Sequence, residues 1–302
     1  MPTITFEYDS IHSWAQPTLH RATNQTTMTL SIPVSFEFFP PKTAEGEEKL
    51  MHTVAALAPQ NPEFFSVTYG AGGSTQAGTF NAVAKIREMG HQAAPHLSCV
   101  GATRANTLSI LDELKAQGVN RIVALRGDLP SGMGGMGELG HASDLVALIR
   151  EHSGDWFHII TAAYPEYHPQ AKNPQDDLKH FVNKMQAGAN TAITQYFYNA
   201  DAYARFVDDV RAKGVSAPIV PGIMPITNYS RLARFSETCG AEIPRWILLK
   251  LASFGDDTES IKAFGQDVVA QLCERLVQLG APSLHFYTLN QAEPSLGVLG
   301  KL

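Results

Sequence analysis

Glu37 is a carboxylate among bulky apolar residues, in the run Val34-Ser35-Phe36-Glu37-Phe38-Phe39-Pro40-Pro41. The run is β-prone and ends at two prolines, so it reads as a strand. Alternation puts Ser35, Glu37 and Phe39 on one face and Val34, Phe36 and Phe38 on the other. A carboxylate that loses hydration there usually responds with a raised pKa, and a neutral carboxylic acid near pH 7 can donate a proton. A solvated edge-strand glutamate, or a buried one satisfied by its partners, fits the same stretch. Other residues able to do chemistry end later apolar runs: Thr68-Tyr69-Gly70, His96, Arg126-Gly127-Asp128, Tyr164 with His168, and Gln195 with Tyr196. Each alone has an ordinary explanation, such as a satisfied core histidine at His96 or a local Arg126–Asp128 ion pair. Their recurrence after six successive runs argues for a shared site.

The elements that must position these groups follow a rhythm. Strand-like runs fall at about 34–38, 64–68, 93–98, 121–125, 157–163, 191–197, 217–222 and 283–288, with helical periodicity between them. Leu108, Leu111 and Leu114 share a helical face, Gly118 stops that helix, and Ile122-Val123-Ala124-Leu125 follows. Asn199 is placed to cap a second helix with Tyr203, Phe206, Val207 and Val210 on one face, and Gly214 ends it. Eight nearly continuous apolar strands alternating with helices predict an α/β fold with a helix-covered parallel sheet. A closed (β/α)8 TIM barrel needs roughly 250 residues and places its chemistry at the strand ends. A doubly wound open sheet is the alternative. One domain is expected, with residues 1–32 as an N-terminal arm, residues 33–302 as the barrel, and an extra helix around 244–249 before the last strand.

Composition narrows the function. The 302 residues are 44% hydrophobic and 17% charged, with a formal net charge of −6. Scattered Lys and Arg make no stripe for a phosphate backbone, which argues against nucleic acid. No apolar run approaches the ~18 residues of a membrane span, and residues 1–30 lack a signal-peptide pattern. Cys99, Cys239 and Cys273 are too far apart for zinc spacing or a disulfide framework, so a cytoplasmic, metal-free protein is expected. Gly132-Met133-Gly134-Gly135-Met136-Gly137 matches G-x-G-x-x-G, but it neither follows a strand directly nor opens a helix. A loop over the rim is the simpler reading.

Several motifs, in order, resemble the methylenetetrahydrofolate reductase family. They are Ser35–Pro41, Ser66-Val67-Thr68-Tyr69-Gly70-Ala71, Ala94-Pro95-His96-Leu97, Ala124–Pro130 and Ala163-Tyr164-Pro165-Glu166. Gly188-Ala189-Asn190, Ile193-Thr194-Gln195, Pro221-Gly222-Ile223 and His285-Phe286-Tyr287-Thr288-Leu289-Asn290 complete the match, which runs from about 33 to 292. The resemblance implies an FAD-containing barrel of the compact bacterial form. Such an enzyme reduces 5,10-methylenetetrahydrofolate to 5-methyltetrahydrofolate with NADH or NADPH by a ping-pong mechanism, in one-carbon metabolism and methionine biosynthesis. It also implies Glu37 as the acid that opens the five-membered ring to an iminium, and Asp128 as the carboxylate near flavin and folate.

By the same resemblance Thr68, Tyr69, Ala71, His96, Arg126, Gly127, Asp128, Ala142, Tyr164, His168, Ala171, Asp177, His180, Asn183 and Lys184 would hold FAD. Glu37, Asp128, Gln195, Tyr229, Arg231, Phe235 and Gln291 would meet the substrate, with Phe235 as an aromatic cover. Three departures stand out: Asn183 where the bacterial pattern has Arg, His180 for another polar FAD contact, and Gln291 where Arg usually follows Asn290. Arg231 stands where a bacterial relative has Gln. A homo-oligomer is the expected assembly. The alternatives are the same barrel oxidising methyltetrahydrofolate, a catalytically idle flavin- or folate-binding module, and a flavin-free barrel lyase.

Overall fold

The computed structural model describes residues 32–69, 76–127 and 137–302. The expected N-terminal arm, Ala71, Asp128 and the glycine-rich motif up to Met136 lie outside the described residues.

Short apolar runs between turn signals become strands: β1 (Val34–Phe38), β2 (Phe65–Val67), β3 (Ala93–Ser98), β4 (Arg121–Leu125), β5 (His158–Ala163), β6 (Thr191–Thr194), β7 (Ile219–Val220), β8 (Gly222–Ile223) and β9 (Leu284–Tyr287). All their pairings are parallel, in the order β7-β6-β5-β4-β3-β2-β1-β9-β8. Only Pro221 separates β7 from β8, so the two share one rung: β7 pairs with β6, and β8 with β9. Proline has no N–H for the ladder, which is why the run read as one strand over 217–222 is split. The sheet thereby closes as a (β/α)8 barrel, and the open-sheet alternative falls.

The helices α1 (Ala44–Leu57), α2 (Gln76–Glu88), α3 (Arg104–Ala116), α4 (Ala142–Ser153), α5 (Pro174–Gln186) and α6 (Ala200–Ala212) follow the first six strands in turn. Three helices, α7 (Tyr229–Cys239), α8 (Arg245–Ser253) and α9 (Thr258–Gln278), fill the crossover to β9, and α10 (Glu293–Leu299) ends the chain. The extra helix expected around 244–249 is α8. Asn199 caps α6 by accepting the Asp201 N–H at 3.0 Å, and Gly214 leaves that helix at φ 79°. None of the described helices is long and apolar enough to cross a membrane.

Alternation divides the apolar residues between two cores. Phe36 and Phe38 of β1 face outward, where Phe36 meets Phe65 and Phe286 and Phe38 meets Phe65, all at or below 1% exposure. Burying each such ring contributes about 1.5–3 kcal/mol over leaving it in water. Phe64, Ala94, Val123, Ile160, Ile193 and Val220 form a second cluster of their own. Register then sets the neighbours of Glu37: it lies opposite Ser66 of β2 and Tyr287 of β9, while Ser35 lies opposite His285. A one-residue slip would turn all of them to the helix layer.

Candidate active site

The barrel mouth holds a cavity of about 490 Å³. Glu37, Thr68, Tyr69, His96, Gly127, Tyr164, Gln195 and Phe235 all line it. Val123, Leu125, Ile193, Met224 and Leu289 supply apolar wall, and Phe39, half exposed, stands at the edge. A second cavity of about 390 Å³ shares Leu125, Gly127, Thr161, Ala162 and Tyr164 with the first. Arg126, Ala142, His168, Ala171, Asp177, His180 and Lys184 line this second space, together with His141 and Lys172.

Glu37 sits among histidines. Its Oε2 is 3.1 Å from His96 Nε2 and 3.3 Å from His285 Nε2, and it accepts from Ser66 Oγ at 3.4 Å. The His96 approach is short but not aligned as a hydrogen bond, since His96 Nε2 is buried with no hydrogen-bond partner among the described residues. Behind it, His285 Nδ1 lies 2.7 Å from Ser35 Oγ, with both residues buried.

The raised pKa expected for Glu37 is overturned. Burial alone does push the carboxyl up, but the charge of His96, the hydrogen bond to His285 and the charge of His285 outweigh it and hold the group at about 2. Alternation reveals the face on which Glu37 lies but not the imidazoles waiting there from β3 and β9. The site therefore holds an ionised carboxylate with one imidazole from β3 and another from β9 against the same oxygen.

Backbone geometry fixes the wall between the cavities. Gly127 has φ 85°, and a Cβ there would lie 1.9 Å from Ser98 Oγ. Ser98 Oγ donates to the Arg126 carbonyl at 2.8 Å, locking the strand end that carries Arg126. The Arg126 guanidinium donates to the Gln170 side chain. Lys184 Nζ donates to the Ala162 carbonyl, and burial pulls its pKa down to about 8, with Asp177 opposing and Arg126 assisting. His168 N–H donates to Asp177 Oδ2 at 3.0 Å, and the His141 and His180 rings stack at 5.2 Å.

The remaining expected residues sit elsewhere. Asn183 is exposed on α5 and lines neither cavity. Tyr229, partly buried, opens α7; Arg231 is exposed on the same helix; and Gln291 is exposed after β9. None of these three lines the mouth cavity. Conversely, Ser35, His285 and Tyr287 belong to the site's framework, and Tyr287 donates its OH to the Thr194 carbonyl at 2.7 Å. The signal able to find them is alternation, which puts Ser35 with Glu37 on β1 and His285 with Tyr287 on β9.

The two joined cavities suit an elongated group with a flat ring system at one end and an anionic middle. The mouth offers apolar walls and hydrogen-bonding residues. The outer space offers Arg126, Lys172 and Lys184, which match a diphosphate. FAD has this form.

A parallel barrel with polar strand ends converging on one mouth defines a barrel enzyme scaffold. The methylenetetrahydrofolate reductase family profile matches residues 22–302, and the chain belongs to that family. It is 41% identical over 268 residues to the 5,10-methylenetetrahydrofolate reductases of Salmonella typhimurium and Escherichia coli, covering 88% of this chain and 89% of each relative. It is 37% identical to the probable methylenetetrahydrofolate reductase (NADH) of Oryza sativa, covering 89% of this chain but 48% of the longer plant protein. Among solved structures, a Clostridium thermocellum protein described as binding two copies of 5-methyl-5,6,7,8-tetrahydrofolic acid shares the fold. Its TM-score is 0.65 at 16% identity, over 89% of this chain and 93% of that one.

Proposed function

We propose that this protein reduces 5,10-methylenetetrahydrofolate to 5-methyltetrahydrofolate, with FAD as the resident carrier and NADH or NADPH as donor in a ping-pong cycle. The observation that carries this reading is Glu37 at the wall of an apolar mouth cavity that continues into a cation-lined one. FAD, when bound, supplies the two-electron transfer between nicotinamide and the one-carbon unit.

The residues of the chain supply position, charge and a proton. Arg126, Lys172 and Lys184 would hold the anionic part, with Tyr164 and Gly127 at the passage between the cavities. Thr68, Tyr69 and His96 would border the ring system. Gln195, whose side-chain oxygen accepts its neighbour's N–H from Tyr196 at 3.0 Å, would turn its amide donor to the pterin or nicotinamide. Phe235 would cover the bound ring. Asp128 follows β4 and would place negative charge by the cationic iminium.

Glu37 is ionised before substrate arrives; folate bound over it would exclude water and push its pKa up, and the acid, once protonated from solvent, would donate to a nitrogen of the N–CH2–N bridge. That C–N bond breaks, its electron pair stays on the protonated nitrogen, and the carbon remains as an iminium on the other nitrogen, ready to accept hydride. The three unpaired cysteines fit a reducing cytoplasm, and a homo-oligomer is the proposed assembly.

The test follows the visible spectrum of the purified protein anaerobically through NADH, NADPH and then methylenetetrahydrofolate. Flavin bands that bleach with a nicotinamide and return with the folate support the reading and identify the donor. Bleaching only with methyltetrahydrofolate points to the reverse direction, and no bands after reconstitution with FAD sink the proposal. Glu37→Gln should keep flavin and its reduction by nicotinamide but lose folate reduction by roughly 10²–10⁴-fold.

A further inference from the structure

One wall of the mouth comes from α7, which presents Phe235, Thr238 and Cys239 to the cavity. The helix is lightly anchored: of its eleven residues only Leu232 and Ser236 are buried. With so little apolar contact, its seat depends on a few directed bonds. One lies on the inner side, where the Tyr196 hydroxyl meets Ser236 Oγ at 3.1 Å. The others gather at the C-terminal end. Gly240 leaves the helix at φ 74°, and a Cβ there would fall 2.8 Å from Pro169 Cγ, so the chain lies flush against the loop after β5. Two residues further on, the Glu242 N–H donates to Glu166 Oε2 at 2.8 Å, across 76 positions of sequence.

Glu166 is poorly placed for stability alone. Its Oε1 is buried with no hydrogen-bond partner among the described residues. Burial pushes the carboxyl pKa up, the Glu242 N–H pulls it back, and the Glu242 charge adds to the rise. Glu166 lines neither the mouth nor the outer cavity. Its loop does: Tyr164 lines both, and His168, Gln170 and Ala171 line the outer one.

We infer that Glu166 is a positioning residue, whose carboxylate ties α7 to the loop after β5 and so seats Phe235 over the mouth. This rests on the reductase reading above, in which Phe235 covers the folate and nicotinamide rings in turn. A cover that admits and releases two different rings cannot be packed rigidly, and one bond of fixed direction returns it to the same place after each release. Apolar packing of Ala241 and Ile243 holds the segment down without giving it a direction. The acceptor is a single oxygen and the donor a backbone N–H, so the reach of the side chain matters and its charge does not.

The test separates reach from charge with three variants of the FAD-loaded protein. Glu166→Gln keeps the acceptor and loses the charge; Glu166→Asp keeps the charge and falls short by one methylene; Glu166→Ala loses both. The flavin is reduced with dithionite, so that the folate has no hydride acceptor, and the protein is titrated anaerobically with 5-methyltetrahydrofolate. Glu166→Ala and Glu166→Asp should raise the Kd roughly fivefold, and Glu166→Gln should stay within about twofold. In a Phe235→Ala background, Glu166→Ala should add less than about twofold, because the cover it positions is gone. A second readout needs no folate: amide exchange in the peptide spanning 235–243 should quicken in Glu166→Ala and Glu166→Asp but not in Glu166→Gln.

Unchanged folate affinity in Glu166→Ala and Glu166→Asp would overturn the inference. So would an equal loss with and without Phe235, which general loosening would give, or recovery by Asp and not by Gln. Wild-type protein that holds no flavin or binds no folate, while exchange at 235–243 still quickens in Glu166→Ala, overturns the reductase reading and with it the role assigned to Glu166.

Discussion

Asn290 grips the backbone of Phe39 from both sides. Its Oδ1 accepts the Phe39 N–H at 2.8 Å and its Nδ2 donates to the Phe39 carbonyl at 3.0 Å. Asn290 does this from φ 59°, the left-handed region that asparagine tolerates better than most residues. The clamp joins the loops that leave β1 and β9, the two strands that carry Glu37 and His285. Asn290→Ala should cost about 2 kcal/mol through two lost hydrogen bonds, seen as a melting temperature lower by roughly 5 °C. An unchanged melting temperature would mean that Phe39 is held by other contacts.

Gly127 is a point where any side chain collides. Gly127→Ala would put its Cβ 1.9 Å from Ser98 Oγ and force an unfavourable φ of 85°. The variant should lose most FAD retention on gel filtration, because Arg126 is displaced with the strand end. Adding Ser98→Ala relieves the closest clash but not the backbone strain, so it should restore FAD only in part. Full retention in the single variant would show that the cavity wall adapts.

If FAD is the resident carrier as proposed, Lys184 should make its affinity depend on pH in a defined direction. The Lys184 ammonium attracts a diphosphate, and burial first, then Arg126, lowers its pKa to about 8 against the pull of Asp177. Proton loss above about 8 removes the attraction, so the Kd for FAD should rise between pH 7 and 9. Binding the anion raises the lysine pKa in turn, which is the linked half of the same effect. Lys184→Met should weaken FAD at pH 7 and flatten this dependence, as measured by flavin fluorescence. Riboflavin, which has no phosphate, should be insensitive to both changes.

Much of the barrel was legible because its strands are short, apolar and punctuated. Gly118 and Asn199 marked real helix boundaries, and the surplus length between β8 and β9 does hold α8. The split at Pro221 was written in the sequence as a residue without an N–H, yet an apolar run on both sides masks it. The site was legible only as a set of strand ends. Glu37 was identifiable as an anomaly, but its ionisation is set by His96 and by His285, the second of which is 248 residues away. No local pattern reports a partner that distant. Asn183 and Gln291, conspicuous as departures from a motif, are exposed and outside both cavities, since a motif fixes sequence position and not the direction of a side chain.

The break at Pro221 changes what holds the barrel shut. Gly222 N–H donates to Thr194 Oγ1 at 2.9 Å, and Tyr287 reaches from β9 to the Thr194 carbonyl at 2.7 Å. A Cβ on Gly222 would fall 2.2 Å from that carbonyl and 2.5 Å from the Tyr287 ring, so only glycine lets the two sides meet. This rung, whose main-chain ladder is broken by the proline, is tied partly by a hydroxyl and a phenol. Tyr287 also lines the mouth, so a ligand that moves its ring would tug on the knot that ties β9 to β6 across the split strand.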